Sequence, residues 1–452
     1  MRNSFRADLR RLVPLAWPVF IGQIAVLAFA TVDTFLLARY SAIDLAALAV
    51  GAAIYISVFV GLMGVVLAVS PIVGQLFGAG QLEKAGDQLH QAVWLALILS
   101  VFGDLILVFP APLLSIAHAG PEVERRVHEY LLALAFALPP ALLFTAYRGF
   151  NTAVSRPKAV MTLQVCGLLL KIPLSAVLVW GAGSLPSLGT LGCGIATAIV
   201  MWAQCAAGIW MLRRDPFYAQ FGLTGHGLHP LHWTDLRALL KLGVPMGSSI
   251  AIEVTGFTFM AIFIARLGPT AVAGHELAIN LVSMMFMMPM AIGSAAGTLV
   301  AQAIGSRDRE DARRISNHSM ELGLMVAAVM GGLIFVFRAQ VLRLYTHDMS
   351  IVNSAIPLLL WVWIFHTADA AQTVAANVLR AHHIAVAPVV IYTLAIWGVG
   401  IGGGYFLAFG NAPWVPDRLH GASGFWSAAT AGLVLAATGL TAFLAWVNRQ
   451  EP

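Results

Sequence analysis

Residues 242–268 read LGVPMGSSIAIEVTGFTFMAIFIARLG, and residues 15–41 read LAWPVFIGQIAVLAFATVDTFLLARYS. A shift of 227 positions lays the second on the first, with Pro18 on Pro245, Ala38 on Ala265 and Arg39 on Arg266. Each stretch is long enough to cross a bilayer, which takes about 20 mostly apolar residues. Each carries one acid, Asp33 in the first copy and Glu253 in the second, at different depths. The same offset aligns Val73-Gly74-Gln75 with Val300-Ala301-Gln302, and Glu83 and Ala85 with Glu310 and Ala312. One constant offset held across several segments marks an internal duplication.

The rest of the chain agrees with a membrane reading. Of 452 residues, 59% are hydrophobic and only 10% charged, against roughly 25% charged in soluble domains. The net charge of +5 is spread over short loops and forms no patch for nucleic acid. Cys166, Cys193 and Cys205 all lie in apolar segments, which argues against a disulfide framework. The N-terminus, MRNSFRADLRRLVPLAW, is basic and runs into an apolar stretch with no small-residue cleavage site. A retained first helix is expected there, not a signal peptide.

Apolar runs mark twelve spans, near 12–38, 45–70, 89–111, 128–147, 159–180, 189–212, 238–264, 274–303, 315–337, 353–378, 385–409 and 421–447. An even number puts both termini on one side. With that side inside, the inner segments hold 18 of the 26 Lys and Arg and the outer loops seven. The excess predicts cytoplasmic termini in a plasma membrane, a bacterial inner membrane being expected. The longest inner connection, 213–237, is polar and rich in Gly and Pro, and it divides the chain into an N-lobe, 1–220, and a C-lobe, 221–452. His226, His229 and His232 lie on it at three-residue spacing, but no Cys or carboxylate completes a metal set, so a solvated linker is expected. The fold class is therefore all-α and polytopic, two six-helix lobes related by a parallel repeat. Such halves, with a site between or within them, are a transporter arrangement.

A charged side chain at the bilayer centre costs about 2.5–3.5 kcal/mol on insertion scales, so each one needs a partner, a cavity or a proton. Asp104, Glu276 and Glu321 lie near span ends, where headgroup water reaches them. Glu253 lies mid-span between Ile252 and Val254, and Asp369 lies deep in span 10, on one helical face with Phe365, Gln372 and Thr373. Two carboxylates near each other in a low dielectric cannot both ionise cheaply, so proton release couples to arrival of a cation. The functional reading is a proton or Na⁺ site at Glu253 and Asp369. The bland reading is two protonated acids packed by hydrogen bonds. In the first half, Lys171 is the mid-span base and Asp33 the mid-membrane acid, and they are expected to pair; the alternative is a lysine snorkelling to the inner face. Span 8 carries Met284, Met285, Met287, Met288 and Met290 around Phe286. Methionine accommodates ligands of varied shape and aromatic faces attract organic cations, although lipid-facing surface is equally apolar. Ser283, Phe286, Met287, Phe365 and Gln372 are the candidate substrate contacts.

Several pieces resemble the multidrug and toxic compound extrusion (MATE) family in its NorM-like branch. They are Val32-Asp33-Thr34, the run from Ser41 to Ala49, Pro71 to Gly80, Leu379-Arg380, and Trp397-Gly398-Val399-Gly400 leading to Tyr405. Their order and spacing, together with the twin lobes, cover essentially the whole chain. The resemblance implies a V-shaped pair of lobes that exports organic cations and drugs in exchange for Na⁺ or H⁺, with no cofactor and no enzymatic activity, as an expected monomer in lipid. It also implies that Glu253 and Asp369 form the C-lobe cation site, Na⁺ included, and that Asp33 is the N-lobe acid. The chain departs from the family in two places. Where relatives have tyrosine near the cation site, this sequence offers Phe365 and Phe286, which removes a hydroxyl ligand. Lys171 stands where relatives more often have asparagine, and a lysine beside Asp33 mimics the charge of a bound proton and silences that half.

Readings from other classes fit less well. An intramembrane aspartyl protease lacks its Tyr-Asp and Gly-x-Gly-Asp signatures, of which Phe102-Gly103-Asp104 is only a fragment. A lipid-linked oligosaccharide or other amphiphile flippase of related architecture would line its cavity with several bases, whereas Lys171 is the only mid-span base. A channel would need a ring-forming polar repeat.

Overall fold

The computed structural model describes residues 2–450 apart from 113, 115–119, 184, 225–226, 347, 411–415 and 417–418. His226 of the histidine series and Arg418 of the outer loops lie outside the described residues. Among the described residues twelve helices are long and apolar enough to cross a membrane. They are Ser4–Ala38, Ala42–Gly78, Leu82–Val108, Pro121–Ala153, Pro157–Trp180, Thr190–Arg214, Trp233–Ala265, Pro269–Gly305, Arg309–Val336, Met349–Ala381, Val386–Phe409 and Ala422–Gln450, spans 1 to 12. No strand forms among the described residues, where β pairing is limited to one Ala182–Leu185 bridge. The protein is an all-α, multi-pass membrane protein.

The duplication reaches down to the backbone of the helix ends. Span 2 ends with Gly80 left-handed at φ 72°, and span 8 ends with Arg307 at φ 62°. In each case the next N–H reaches back to close the helix, Gln81 to Leu76 O and Asp308 to Ala303 O, both at 2.9 Å. Span 4 ends the same way at Ser155 (φ 61°) and span 10 at His383 (φ 59°). Arg156 N there bonds Asn151 O, and Ile384 N bonds Leu379 O. This six-to-one bond is the Schellman closure, which satisfies carbonyls that a helix end would otherwise leave orphaned. Helix starts follow local chemistry too. Proline occupies the first turn of spans 4, 5 and 8, where its missing N–H is not needed. Asp348 caps span 10 by accepting the Ser350 N–H at 2.8 Å.

Two compact units form, Trp17–Gly247, and Met1–Ala16 with Ser248–Pro452. Their boundaries pass through spans 1 and 7, and the 213–237 connection lies wholly in the first unit. Within Trp17–Gly247, span 4 is the hub, packed on spans 2, 3 and 6. Within the other unit its repeat partner, span 10, packs on spans 8, 9 and 12. In lipid there is little hydrophobic drive between helices, so close van der Waals approach has to hold them together. At Gly86 on span 3, for example, a Cβ would collide with the Phe221 carbonyl oxygen. The C-terminal core is aromatic: Phe365 lies edge-on to Phe257 and Trp426, with centroids 5.7 and 5.8 Å apart.

Span 11 is not a uniform α-helix. Val386–Tyr392 and Gly404–Phe409 are α-helical, while Thr393–Gly403 between them is a π-helix. Such stretches are rare and gather at functional sites.

Candidate functional site

In the first unit Lys171 stands on span 5 with its side chain fully enclosed, and its Nζ lies 3.0 Å from Asp33 Oδ2. The ammonium also donates to Thr197 Oγ1 at 2.7 Å. Ser175, one turn after Lys171 on the same face, donates to Asp33 Oδ1 at 3.4 Å. The Phe29 ring completes the enclosure, 5.7 Å from Nζ. Lysine and aspartate therefore meet as a buried ion pair, with side-chain hydroxyls on both members. Snorkelling does not occur.

In the second unit span 7 brings Glu253 and span 10 brings Asp369 to the two sides of one amide group. Gln372 Nε2 donates to Glu253 Oε1 at 3.1 Å and to Asp369 Oδ1 at 2.8 Å. Asp369 and Gln372 are buried, whereas Glu253 is half-buried. Spacing of i, i+3 on span 10 puts Asp369 and Gln372 on one face, and the crossing of span 7 sets Glu253 opposite them. Thr373 Oγ1 lies 3.4 Å from the same amide nitrogen. The two acids thus share one amide donor, and among the described residues neither forms an ion pair.

The other face of the amide changes one expectation from the sequence. Tyr392, on span 11, donates its hydroxyl to Gln372 Oε1. The site therefore has a tyrosine hydroxyl at its edge, supplied by a helix that sequence reasoning left aside. A signal for it exists. The turn between spans 10 and 11 is short, and residues roughly equidistant from such a turn sit level with each other, as Gln372 and Tyr392 do.

Of the remaining candidates, Phe365 packs in the aromatic core described above. Ser283, Phe286 and Met287 lie half-buried along span 8. Met285 joins the core, and Met284 is exposed and accepts the Tyr345 hydroxyl at 3.6 Å. The methionines therefore divide between inside and outside, as five on one helix must. Arg380, beyond the end expected for span 10 at 378, lies within that helix and donates to Ser249 Oγ at 3.4 Å, one turn before Glu253 on span 7. His366 is fully buried, with both ring nitrogens unbonded. Glu276 and Glu321 are exposed.

Of the connection histidines, His229 is docked on span 3. His229 Nδ1 lies 2.7 Å from Asp87 Oδ1 and its ring stacks on His90 at 4.2 Å. Among the described residues no group of three or more His, Cys, Asp or Glu could hold a metal ion.

The MatE family signature matches residues 18–177 and 245–406, so the two matches begin at the two prolines that the repeat aligns. The chain is 41% identical to the probable multidrug resistance protein NorM of Aromatoleum aromaticum, over 94% of this chain and 91% of the relative. It is 34% identical to the multidrug resistance protein NorM of Vibrio cholerae, over 99% and 98%. Its fold is similar to the Vibrio cholerae MATE transporter VcmN in the bent form, with a TM-score of 0.87 and 18% identity over 99% of both chains. The eukaryotic MATE transporter AtDTX14 matches with a TM-score of 0.86 and 19% identity, again over 99% of both. From the doubled signature and the near full-length identity, this chain belongs to the MatE family, in the branch of the NorM proteins.

Proposed function

We propose that the protein is a secondary multidrug efflux antiporter that exports organic cations and drugs in exchange for Na⁺ or H⁺. The observation that carries the coupling site is the single amide of Gln372 shared by Glu253 and Asp369. Two carboxylates this close, in a low-dielectric interior, favour taking up one positive charge. A proton or a Na⁺ supplies that charge, with Gln372 and Tyr392 offering neutral oxygens nearby. Asp33 already has a cation in Lys171, so the N-terminal half is the silent one, and coupling runs through the C-terminal acids.

The lobes are taken as 1–220 and 221–452, with both termini cytoplasmic in a bacterial inner membrane and the chain acting as a monomer. The names of the NorM relatives support the drug class of substrate, and the half-buried Ser283, Phe286 and Met287 are the contacts proposed for it. Dye efflux from proteoliposomes, with Na⁺ and pH gradients imposed separately, tests the reading. Wild-type protein is expected to respond to one gradient, and Glu253→Gln and Asp369→Asn to lose the response. Full coupled efflux in both variants would overturn the assignment.

A further inference from the structure

The Trp17–Gly247 unit contains a cavity of about 260 Å³ that the transport site does not use. It lies between spans 3, 4 and 6 and is lined mainly by apolar side chains, Phe144, Tyr147 and Ile209 among them. The 213–237 connection closes it, contributing Leu228 to the lining. His229 and Pro230 of that segment are held on span 3: Gln91 Nε2 donates to Pro230 O, and Trp94 Nε1 donates to His229 O, both at 2.9 Å. Ile209 and Leu228 are both more than 40% exposed, so they form an open apolar mouth.

Two polar groups break the apolar lining. Arg213, in the last turn of span 6, lines the cavity; its side chain is exposed and makes no hydrogen bond, ion pair or ring contact among the described residues. His90 also lines it, and its Nδ1 accepts the His229 N–H at 3.5 Å, which leaves Nε2 to carry the ring proton. Nε2 is buried and has no partner. An exposed guanidinium at a span end stands at headgroup level, and basic pockets between membrane helices take lipid headgroups. The volume is below the roughly 300–1,000 Å³ of pockets for drug-sized ligands, which suits a slender chain.

We propose that this cavity binds one anionic phospholipid. An acyl chain lies between spans 3, 4 and 6, and the phosphate pairs with Arg213. The lipid then braces the 213–237 connection against span 3.

Native mass spectrometry of protein purified from vesicles of equal phosphatidylglycerol and phosphatidylcholine tests this. Wild-type protein is expected to keep one phosphatidylglycerol through delipidation. Arg213→Ser is expected to reduce retention at least tenfold. Gly208→Leu fills the cavity, since a Cβ at Gly208 already meets Tyr147 at 3.4 Å, and should do the same. Unchanged retention in both variants, equal retention of phosphatidylcholine, or a bound fatty acid or detergent in place of phospholipid would overturn the proposal. Should either variant fail to fold, wild-type protein with dibrominated phosphatidylglycerol answers instead. Bromine density between spans 3, 4 and 6 supports the site, and bromine density only elsewhere refutes it. The readout is lipid binding, so it stands or falls separately from the antiport reading.

Discussion

Lys171 Nζ and Asp33 Oδ2 are 3.0 Å apart, with side-chain exposures of 0% and 7%. Removing one member of such a pair leaves the other charge stranded, which costs about 3–5 kcal/mol in buried pairs, whereas removing both costs far less. Lys171→Met should therefore lower the thermal unfolding temperature in detergent markedly, and adding Asp33→Asn should restore much of it. A double-mutant cycle measures the coupling. Additive losses would show that the contact carries no energy.

The halves should respond unequally to loss of their acids. Asp33→Asn in a Lys171→Met background is expected to retain gradient-driven dye efflux, because the N-terminal acid is already neutralised by its lysine. Asp369→Asn alone is expected to abolish it. Equal loss in both would mean that the N-terminal pair takes part in coupling.

Tyr392→Phe removes the donor to Gln372 Oε1 and should weaken the site mildly. A net hydrogen bond is worth about 0.5–1.5 kcal/mol, so the midpoint of coupling-ion dependence should move by up to about tenfold. Gln372→Leu takes a donor from both carboxylates at once and should move it further. Titrating efflux against Na⁺ and against pH reads both variants, and midpoints identical to wild type would remove Gln372 and Tyr392 from the site.

On the connection after span 6, the Phe217 backbone N–H at 2.9 Å and then the Arg156 guanidinium at 2.6 Å hold the Asp215 carboxyl below its ordinary range. A carboxylate more acidic in the folded state than in the unfolded state stabilises the fold above the unfolded value of about 3.9. That contribution is lost as pH falls further, through the folded value. Unfolding temperatures measured from pH 6 down to pH 3 should fall less steeply for Asp215→Asn than for wild type. Parallel curves would show that Asp215 contributes nothing to acid sensitivity.

The spans were legible because a bilayer needs long apolar runs, and the repeat because Pro18 and Pro245 fix one register. The pairing of Lys171 with Asp33 was legible by elimination, since a buried base needs an acid and the first half has only one in mid-membrane. Tyr392 was missed because a match to a tyrosine was sought at Phe365 on span 10 and Phe286 on span 8, whereas the hydroxyl arrives from span 11. The depth of Arg380 was missed because the apolar run was ended at residue 378, two short of it, while the helix continues to Ala381 and sends the guanidinium back to Ser249. The π-helical Thr393–Gly403 leaves no trace in an apolar run, whose residues carry no phase to reveal five residues per bonded turn.

Gln372 has two amide hydrogens, and both carboxylates lean on them. Any cation that takes Glu253 Oε1 or Asp369 Oδ1 must first compete with an internal donor that never dissociates and never varies in concentration. Binding at this position is thus an exchange of ligands and not an addition, and its affinity is a difference between two coordination shells. A carrier needs such a ceiling on tightness, because an ion held too well on one side of the membrane is never delivered to the other.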